Sequence, residues 1–301
     1  MKREFSIAAV EFAKRRFTSP IKVNYIGRGA FGEVYKISDG KDTIALKLSK
    51  DKALYREADE LALLREYGVK APEILFTDTQ SDIYCIGMEY VEGVSADNKI
   101  LTAFMSKEKK NRLAEQVAEQ VRILQSVKGE RFGPLQNPDC NDWNDYYRER
   151  AEKIITGARN TSNRTVRRWL PVMEELFSQF DRIFSEEVAE SVLIHGDFCP
   201  ANILIDRKTG ELRGVIDPLE MRWSDGEYEI FQLFCQTGDR LGLYETYKRK
   251  YGLSKNADIK CVFYAIFAEI ELYLDTGILL KSVLRGLKKR AARVRQEING
   301  L

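Results

Sequence analysis

Short runs of alternating apolar and polar residues fill most of the first ninety positions, and glycine-bearing turns separate them. This alternation is typical of β-strands, which are predicted at 23–28, 33–38, 43–48, 73–79 and 83–89. Between the third and fourth strands, apolar residues recur three and four positions apart, which predicts a helix at about 53–67 that ends at Gly68. The first part of the chain is therefore expected to be an antiparallel sheet with one helix.

After Gly93 the hydrophobic period changes to three and four residues, which favours helices. Ser106 is a candidate N-cap, because its hydroxyl can accept a backbone N–H of the first helical turn. Further helices are predicted at 142–156, 164–184, 227–235, 257–274 and 277–299, with short strands and loops at 191–217. We therefore expect an α+β chain of two lobes: residues 1–89, a connector at 90–93, and a mainly helical lobe at 94–301.

Composition excludes several classes of protein. The 301 residues carry a net charge of +2, which argues against a general attraction to nucleic acid or a membrane surface. A basic run at 281–295 is interpreted as the solvated face of a last helix. Neither a signal peptide nor a membrane-spanning stretch is expected. Five scattered cysteines and one histidine do not make a zinc site, so free thiols in the cytoplasm are predicted.

The strongest chemical signal lies in segment 194–202, followed by Asp217. It places an acid, Asp197, five residues before an amide, Asn202, and fifteen more before Asp217. Phosphoryl transfer to a hydroxyl uses one carboxylate to orient the acceptor and take its proton, and it uses oxygen ligands for Mg²⁺. Asp197 is therefore the candidate catalytic base, and Asn202 and Asp217 are the candidate magnesium ligands.

Two other residues of this segment invite a catalytic interpretation. His195 is the only histidine of the chain, but we expect it to hydrogen-bond the loop backbone and fix Asp197 rather than to transfer protons. Cys199 has no histidine partner other than His195, so a nucleophilic role is rejected.

A glycine-rich loop, 27–32, lies between two predicted strands. Gly27, Gly29 and Gly32 can bring backbone N–H groups close to a triphosphate, and Phe31 stands at the tip of the loop. A dinucleotide-binding motif would have a helix after the loop, and this chain continues as a strand. From this motif alone, the alternative interpretation as a purely structural hairpin stays open.

Lys47 ends an apolar strand, where an unpaired buried ammonium would be costly. Glu57 of the following helix is the predicted partner, with Glu60 as the alternative, and the lysine is predicted to hold nucleotide phosphates. The connector after Met88 can offer backbone groups to the edge of adenine, and Met88 itself can flank the ring.

These motifs occur in the order that a kinase-like pair of lobes requires. Segments 195–202 and 216–217 resemble the aminoglycoside phosphotransferase and choline kinase superfamily. Protein kinases typically have arginine at the position of Gly196 and a glycine-ending triplet at Asp217, whereas this chain continues with Pro218. The same family is resembled by 56–58, 69–75, 88–93 and 224–229, and the likeness covers roughly residues 20 to 280.

The resemblance implies a bilobal protein-kinase-like fold and a phosphotransferase that uses ATP or GTP with Mg²⁺. It implies that Lys47, supported by Glu57, binds the nucleotide phosphates and that backbone near Glu89 and Val91 binds the base. It also implies that Asp197 is the catalytic base and that Asn202 and Asp217 bind magnesium, as inferred above.

The acceptor is expected to be a small hydroxylated molecule bound by the helical lobe. Six acidic residues could form a pocket for a polyamine such as an aminoglycoside antibiotic: Glu220, Asp225, Glu227, Glu269, Glu271 and Asp275. Segment 143–150 also resembles the fructosamine kinase branch, so a ketosamine or a choline-like amino alcohol stays open.

Two rival classes fit less well. A protein kinase needs an activation segment after the second aspartate, and only a short loop separates Asp217 from the helix predicted at 227–235. A binding-only relative would be expected to lose a residue of the catalytic set, and the set is complete.

Overall fold

A computed structural model describes residues 2–17, 20–29 and 32–298 of the chain. Phe31, predicted at the tip of the glycine loop, lies outside the described residues. Within the described ranges, a five-stranded antiparallel sheet with two helices precedes a mainly helical region. The predicted α+β architecture is confirmed.

The sheet has the strand order β1-β2-β3-β5-β4, and every neighbouring pair is antiparallel. Its strands agree closely with the predicted ones, and the helix α2 follows β3 as predicted. The bounds are β1 (Lys22–Arg28), β2 (Glu33–Ser38), β3 (Thr43–Ser49), α2 (Leu54–Glu66), β4 (Ile74–Gln80) and β5 (Ile83–Glu89).

Strand β3 lies at the centre of the sheet and is buried on both faces. Side chains of a strand alternate between the faces, so Leu46 and Leu48 point one way and Ala45 and Lys47 the other. The leucines join an apolar cluster on the outer face, whereas Ala45 belongs to the large core that includes α2. This alternation turns the Lys47 amine toward α2.

The outer face is covered by a helix that we did not predict, α1 (Lys2–Arg16). Phe5 and Phe12, with the alanines at 8, 9 and 13, pack on Leu46 and Leu48 of the sheet. The helix can cover the sheet because its apolar residues recur at three- and four-residue steps and so lie on one face. The five-stranded sheet is therefore covered by a helix on each face.

The helical region contains ten helices, seven short strands and two single turns of 3₁₀ helix at Pro200–Asn202 and Phe231–Phe234 among the described residues. The strands form two small sheets, β11-β10-β6 and β7-β9-β12-β8. In chain order the elements are β6 (Val94–Ser95), α3 (Lys99–Phe104), α4 (Lys107–Gln125), β7 (Lys128–Gly129), β8 (Gly133–Pro134), α5 (Trp143–Asn160), α6 (Arg164–Ser178), α7 (Phe180–Ile183), β9 (Ser191–Ile194), β10 (Ile203–Ile205), β11 (Leu212–Val215), β12 (Arg222–Ser224), α8 (Glu227–Ile230), α9 (Gly238–Leu241), α10 (Leu243–Tyr251), α11 (Ala257–Thr276) and α12 (Lys281–Ile298).

Local backbone conformation and capping explain which predicted helix ends are confirmed and which are wrong. Ser106 caps α4 as predicted, since its hydroxyl accepts the Lys109 N–H at 3.3 Å. The helix predicted at 164–184 is two helices, because Gln179 leaves the helical conformation (φ −105°, ψ 16°). The last helix starts at 281 rather than 277, because Gly277 is left-handed (φ 75°) and ends α11.

The boundaries predicted at 89 and 93 stay a prediction. One buried apolar cluster joins Leu61 and Leu64 of α2 to Val117 and Val121 of α4, so packing continues from the sheet region into the helical region. Across 2–17, 20–29 and 32–298, no helix combines the length and the apolar composition needed to cross a membrane.

The docking of α1 is tested by truncating Phe12, which is fully buried under the sheet. The change Phe12→Ala removes a large apolar side chain and leaves a cavity, so the free energy of unfolding should fall by about 3–5 kcal/mol. Ile7 of the same helix is 53% exposed, and Ile7→Ala is the matched control with little effect. Thermal unfolding of both variants checks this, and equal midpoints would contradict the packing described for α1.

Candidate active site

The site is built around the amine of Lys47. Its Nζ lies 2.6 and 2.8 Å from the two carboxylate oxygens of Glu57 on α2, and 2.5 Å from Oδ1 of Asp217, which follows β11. One buried ammonium therefore connects the central strand, α2 and the loop after β11. The predicted pairing with Glu57 is confirmed, and the alternative, Glu60, lies 3.8 Å from Arg56 instead.

The two carboxylates keep the amine charged. Burial opposes the charge on Lys47, but Glu57 and Asp217 outweigh it and raise the pKa of the amine above its ordinary value. Removal of either acid would leave an incompletely paired buried charge, which is strongly destabilising. The cluster thus fixes the position of Asp217.

Asp217 is held in a backbone conformation that L-residues rarely adopt, with φ of 62°. Its side chain is 43% exposed, so the oxygen that does not bind Lys47 can reach a ligand. Strained backbone of this kind persists where the surroundings enforce it, and it concentrates at functional sites.

Asp197 and Asn202 face each other across the turn between β9 and β10. The Asn202 amide donates to the Asp197 carboxylate at 2.8 Å and to the Asp197 backbone carbonyl at 2.9 Å. Burial raises the pKa of Asp197 to about 6, with a smaller contribution from Asp217. The carboxyl is therefore ionised at neutral pH and closer to the pKa of a proton acceptor than a solvated aspartate.

Gly196 is required by the approach of a second backbone segment. Its φ is 85°, and a Cβ there would lie 1.9 Å from the carbonyl oxygen of Leu219. The Leu219 N–H donates to the His195 carbonyl at 3.1 Å, which holds the two segments together. Any side chain at position 196 would separate Asp197 from the segment that follows Asp217.

His195 supports the loop as predicted. Its ring is fully buried, and Nδ1 accepts the Asp197 N–H at 3.3 Å. Burial lowers the pKa of His195 to about 4, so the imidazole is neutral at pH 7 and can accept that hydrogen bond.

Glu229 of α8 is a residue of this site to which we assigned no role from sequence. Its buried carboxylate accepts three backbone N–H groups of residues 195–202, the candidate catalytic turn (below, the catalytic turn). The donors are His195 at 2.5 Å and Gly196 and Phe198 at 3.2 Å each. These donors would otherwise be buried without partners, which is costly. The available signal was its place at the end of segment 224–229, which resembles a family motif.

Gln236 also holds the catalytic turn and was also missed. Its Oε1 accepts the Ala201 N–H at 3.0 Å, and its Nε2 donates to the Cys199 sulfur at 3.7 Å. Its backbone is left-handed, with φ of 54°. Burial raises the pKa of the Cys199 thiol well above its ordinary value, which agrees with the rejection of a nucleophilic role.

The glycine loop approaches the sheet at one end only. A Cβ on Gly32 would lie 2.3 Å from the carbonyl oxygen of Leu48, so glycine is required there. Gly27 and Gly29 have open space where a side chain would stand, and the Gly29 N–H donates to the Gly32 carbonyl at 2.9 Å.

The connector after β5 offers a backbone N–H group at Val91. Met88 is 8% exposed and packs in the core beside Ala45. The Glu89 N–H donates to the Glu73 carbonyl at 2.8 Å. Among the described residues no partner takes the Val91 N–H, so this group is available to a ligand.

A cavity of about 540 Å³ opens beside Asp197 and Asp217. Its walls come from α2, the loop after Asp217, the segment around Gln236, α11 and residues 278–283. Nine carboxylates line it against three guanidinium groups. The acids are Asp51, Glu57, Glu60, Asp197, Asp217, Glu220, Glu269, Glu271 and Asp275, and the bases are Arg56, Arg150 and Arg222.

Two of the six acids predicted for this pocket are elsewhere. Asp225 and Glu227 each lie 2.8 Å from the buried Lys260 amine, and Tyr264 donates to Asp225 at 2.8 Å. Their place in the pocket was a wrong prediction, because a buried lysine of α11 recruits them into the core. The cavity is acidic without them.

The oxygen donors present fit a magnesium ion. Asn202 uses its Nδ2 to hold Asp197, which leaves its amide oxygen free, and Asp217 has one oxygen beyond the Lys47 contact. No cluster of three or more His, Cys, Asp or Glu able to hold a metal occurs in 2–17, 20–29 and 32–298. Magnesium with a nucleotide needs only one or two protein ligands, because phosphates and water complete its shell.

Comparison with known proteins defines the family. Residues 22–260 match the model of the phosphotransferase enzyme family, APH, and the chain therefore belongs to that family.

Individual relatives are distant. The YcbJ protein of Escherichia coli K12 is 24% identical over 198 residues, which span 63% of this chain and 63% of that protein. An aminoglycoside 3'-phosphotransferase of Streptomyces fradiae is 25% identical over 218 residues, 69% of this chain and 76% of that one.

Two solved structures share the fold over nearly the whole chain. A thermostable mutant of aminoglycoside phosphotransferase APH(4)-Ia, in ternary complex with AMP-PNP and hygromycin B, has a TM-score of 0.67 at 17% identity and 96% coverage of both chains. A fructosamine-3-kinase homologue from Haemophilus somnus 129PT has a TM-score of 0.67 at 16% identity and 96% coverage of both.

The constraint on Gly196 is tested by Gly196→Ala. The new methyl group would clash with the Leu219 carbonyl oxygen, so the catalytic turn should be displaced and the protein destabilised by at least about 1–2 kcal/mol. Gly286, in the exposed middle of α12, has open space around it, and Gly286→Ala should stabilise the protein by about 0.5–1 kcal/mol. Denaturant unfolding measures both, and the same sign for the two variants would contradict the described turn.

Proposed function

We propose that this protein transfers the γ-phosphate of ATP or GTP, with Mg²⁺, to a hydroxyl of a small cationic molecule of the aminoglycoside type. One observation carries the proposal: the half-buried Asp197 opens into a cavity lined by nine acidic side chains and only three guanidinium groups. An acidic cavity attracts a cationic acceptor, and Asp197 can take the proton of its hydroxyl.

Asp197 acts as the proton acceptor in this proposal. The acceptor O–H bond breaks as its oxygen forms a bond to the γ-phosphorus, the bond to the leaving diphosphate breaks, and the proton stays on the Asp197 carboxylate. Asn202 orients that carboxylate through its amide. His195, Glu229 and Gln236 keep the turn in place and do not meet the acceptor hydroxyl in this proposal.

Lys47 binds nucleotide phosphates, and Glu57 holds its amine in position. Asn202 and Asp217 would hold Mg²⁺, which supplies neutralisation of phosphate charge when it is bound. Gly27, Gly29 and Gly32 cover the phosphates, and the backbone near Glu89 and Val91 binds the base. The AMP-PNP bound to the APH(4)-Ia relative supports a nucleotide co-substrate.

For the acceptor, the hygromycin B complex of the same relative supports an aminoglycoside-type molecule. A ketosamine is the second candidate, because α5 begins with the 143–150 segment and a fructosamine-3-kinase homologue shares the fold. In this segment Arg150 lines the cavity with a bidentate pair to Glu271 at 2.7 and 2.8 Å.

The change Asp197→Asn tests the role of the carboxylate. The amide keeps the shape and can still accept from Asn202, but it cannot take a proton, so turnover should fall by about 100- to 10,000-fold. Asp181→Asn is the control, because that side chain is 87% exposed on α7, and it should leave turnover unchanged. Nucleotide consumption is measured against aminoglycosides, macrolides, choline-like alcohols and ketosamines, and undiminished turnover in Asp197→Asn would rule out the assignment.

The pH dependence follows from the raised pKa of Asp197. Only the ionised carboxylate accepts a proton, so kcat at saturating acceptor should fall as the pH decreases through about 6. The far-UV circular dichroism spectrum is recorded at each pH to confirm that the fold persists. A profile that stays flat down to pH 4.5 would contradict Asp197 as the base in this environment.

A further inference from the structure

The cavity beside Asp197 has an apolar wall as well as an acidic one. Helix α11 contributes Ala265, Ala268 and Leu272, and the segment that follows it contributes Ile278 and Leu280. A site built only for a hydrophilic polyamine would not need a wall of this kind.

Ile278 and Leu280 belong to the nine large apolar residues that are more than a third exposed in the described part of the chain. They are 38% and 40% exposed, whereas Leu284 and Leu287, a turn or two further along α12, are buried. Apolar side chains left open to water at the wall of a cavity gain free energy when an apolar ligand group covers them.

Hydrogen bonds fix this wall in position. Gly277 ends α11 in a left-handed conformation and donates its N–H to the Tyr273 carbonyl at 2.8 Å. The Leu280 N–H donates to the Glu269 carboxylate at 2.5 Å. The side chains of Ile278 and Leu280 are therefore presented by backbone that two separate contacts hold.

The acidic wall lies close by. Glu271 and Asp275 are one helical turn apart on α11, and Glu220 of the loop after Asp217 lines the same cavity. Arg150 pairs with Glu271 and Arg222 with Glu220, whereas Asp275 is exposed and forms no ion pair within the described part of the chain. Of the three α11 acids that line the cavity, Glu269 accepts the Leu280 N–H and Glu271 pairs with Arg150, so Asp275 is the one most available to an incoming ammonium group.

We propose that the acceptor is an amphipathic hydroxylated amine. Its ammonium group lies at Asp275 and its neighbours, an apolar ring or chain covers Ile278 and Leu280, and a hydroxyl between them faces Asp197. This inference rests on the proposed function, because it concerns the acceptor of the same site. Among small cationic hydroxylated molecules, it selects amines that carry an apolar group.

Three glycosides separate the two parts of the proposal: octyl β-glucosaminide has an ammonium and a chain, methyl β-glucosaminide only the ammonium, and octyl β-glucoside only the chain. Binding to Asp197→Asn protein is measured by calorimetry, so no turnover is needed. Octyl β-glucosaminide should bind at least about tenfold more tightly than either of the others. If either of the other two glycosides bound as tightly as octyl β-glucosaminide, the proposal would be overturned.

Variants then place the apolar group. Leu280→Ser and Ile278→Ser should each weaken binding of octyl β-glucosaminide by about five- to tenfold and leave methyl β-glucosaminide unchanged. Phe104→Ser is the control, because this residue is 86% exposed on α3 and does not line the cavity. Equal effects of Leu280→Ser and Phe104→Ser would overturn the assignment of this wall.

The charged end is tested by Asp275→Asn, which should weaken both glucosaminides and leave octyl β-glucoside unchanged. An unchanged affinity for the glucosaminides would overturn the placement of the ammonium group. These binding results are independent of turnover: selective binding without phosphorylation of any acceptor contradicts the proposed function, and phosphorylation of polyamines without selective binding contradicts only this inference.

Discussion

The ion-paired Lys47 amine is the interaction on which the remaining site depends. An ammonium in the interior is tolerable only with carboxylates in contact, and here the two partners come from separate elements, Glu57 from α2 and Asp217 from the loop after β11. The requirement brings α2 and the left-handed backbone of Asp217 to the same amine. A single buried charge thus sets the relative positions of a strand, a helix and a loop.

A second group of contacts holds the backbone around Asp197 without using the Asp197 side chain. The backbone of its turn is held by the Glu229 carboxylate and the Gln236 amide from distant segments, and by the His195 ring from within the turn. The Asp197 carboxylate accepts from Asn202 and keeps capacity for another partner, because a carboxylate has about four acceptor positions. Buried backbone groups in this turn are satisfied by other side chains, which leaves the Asp197 carboxylate available for the proposed role as proton acceptor.

Residues that act within one local segment could be predicted from the sequence. The strands, α2, the Ser106 cap and the approach of Lys47 to Glu57 all follow from periodicity and from the cost of a buried charge. The helix α1 could have been found as well, because Phe5, Phe12 and the alanines between them keep helical spacing. It was missed because small alanines give a weak apolar signal.

Contacts between distant segments could not be predicted in this way. Glu229 and Gln236 reach the catalytic turn from more than thirty positions away. Apart from the family-like segment that ends at Glu229, nothing in their own neighbourhood marks them. The same limit explains the wrong placement of Asp225 and Glu227. Their partner, Lys260, lies on the buried side of a helix that is apolar around most of its circumference, and its sequence gave no sign of which acids it would attract.

The acidity of the cavity is itself linked to what binds there. Burial raises the pKa of both Glu60 and Glu269 to about 7, so at neutral pH each is ionised in only part of the molecules. An ammonium group entering the cavity favours the ionised forms, because an opposite charge nearby lowers a carboxyl pKa. Binding of a cation therefore releases protons from the cavity wall, and binding of a neutral molecule does not. A site that gains negative charge as a cation arrives discriminates between the two more strongly than its resting charge alone would allow.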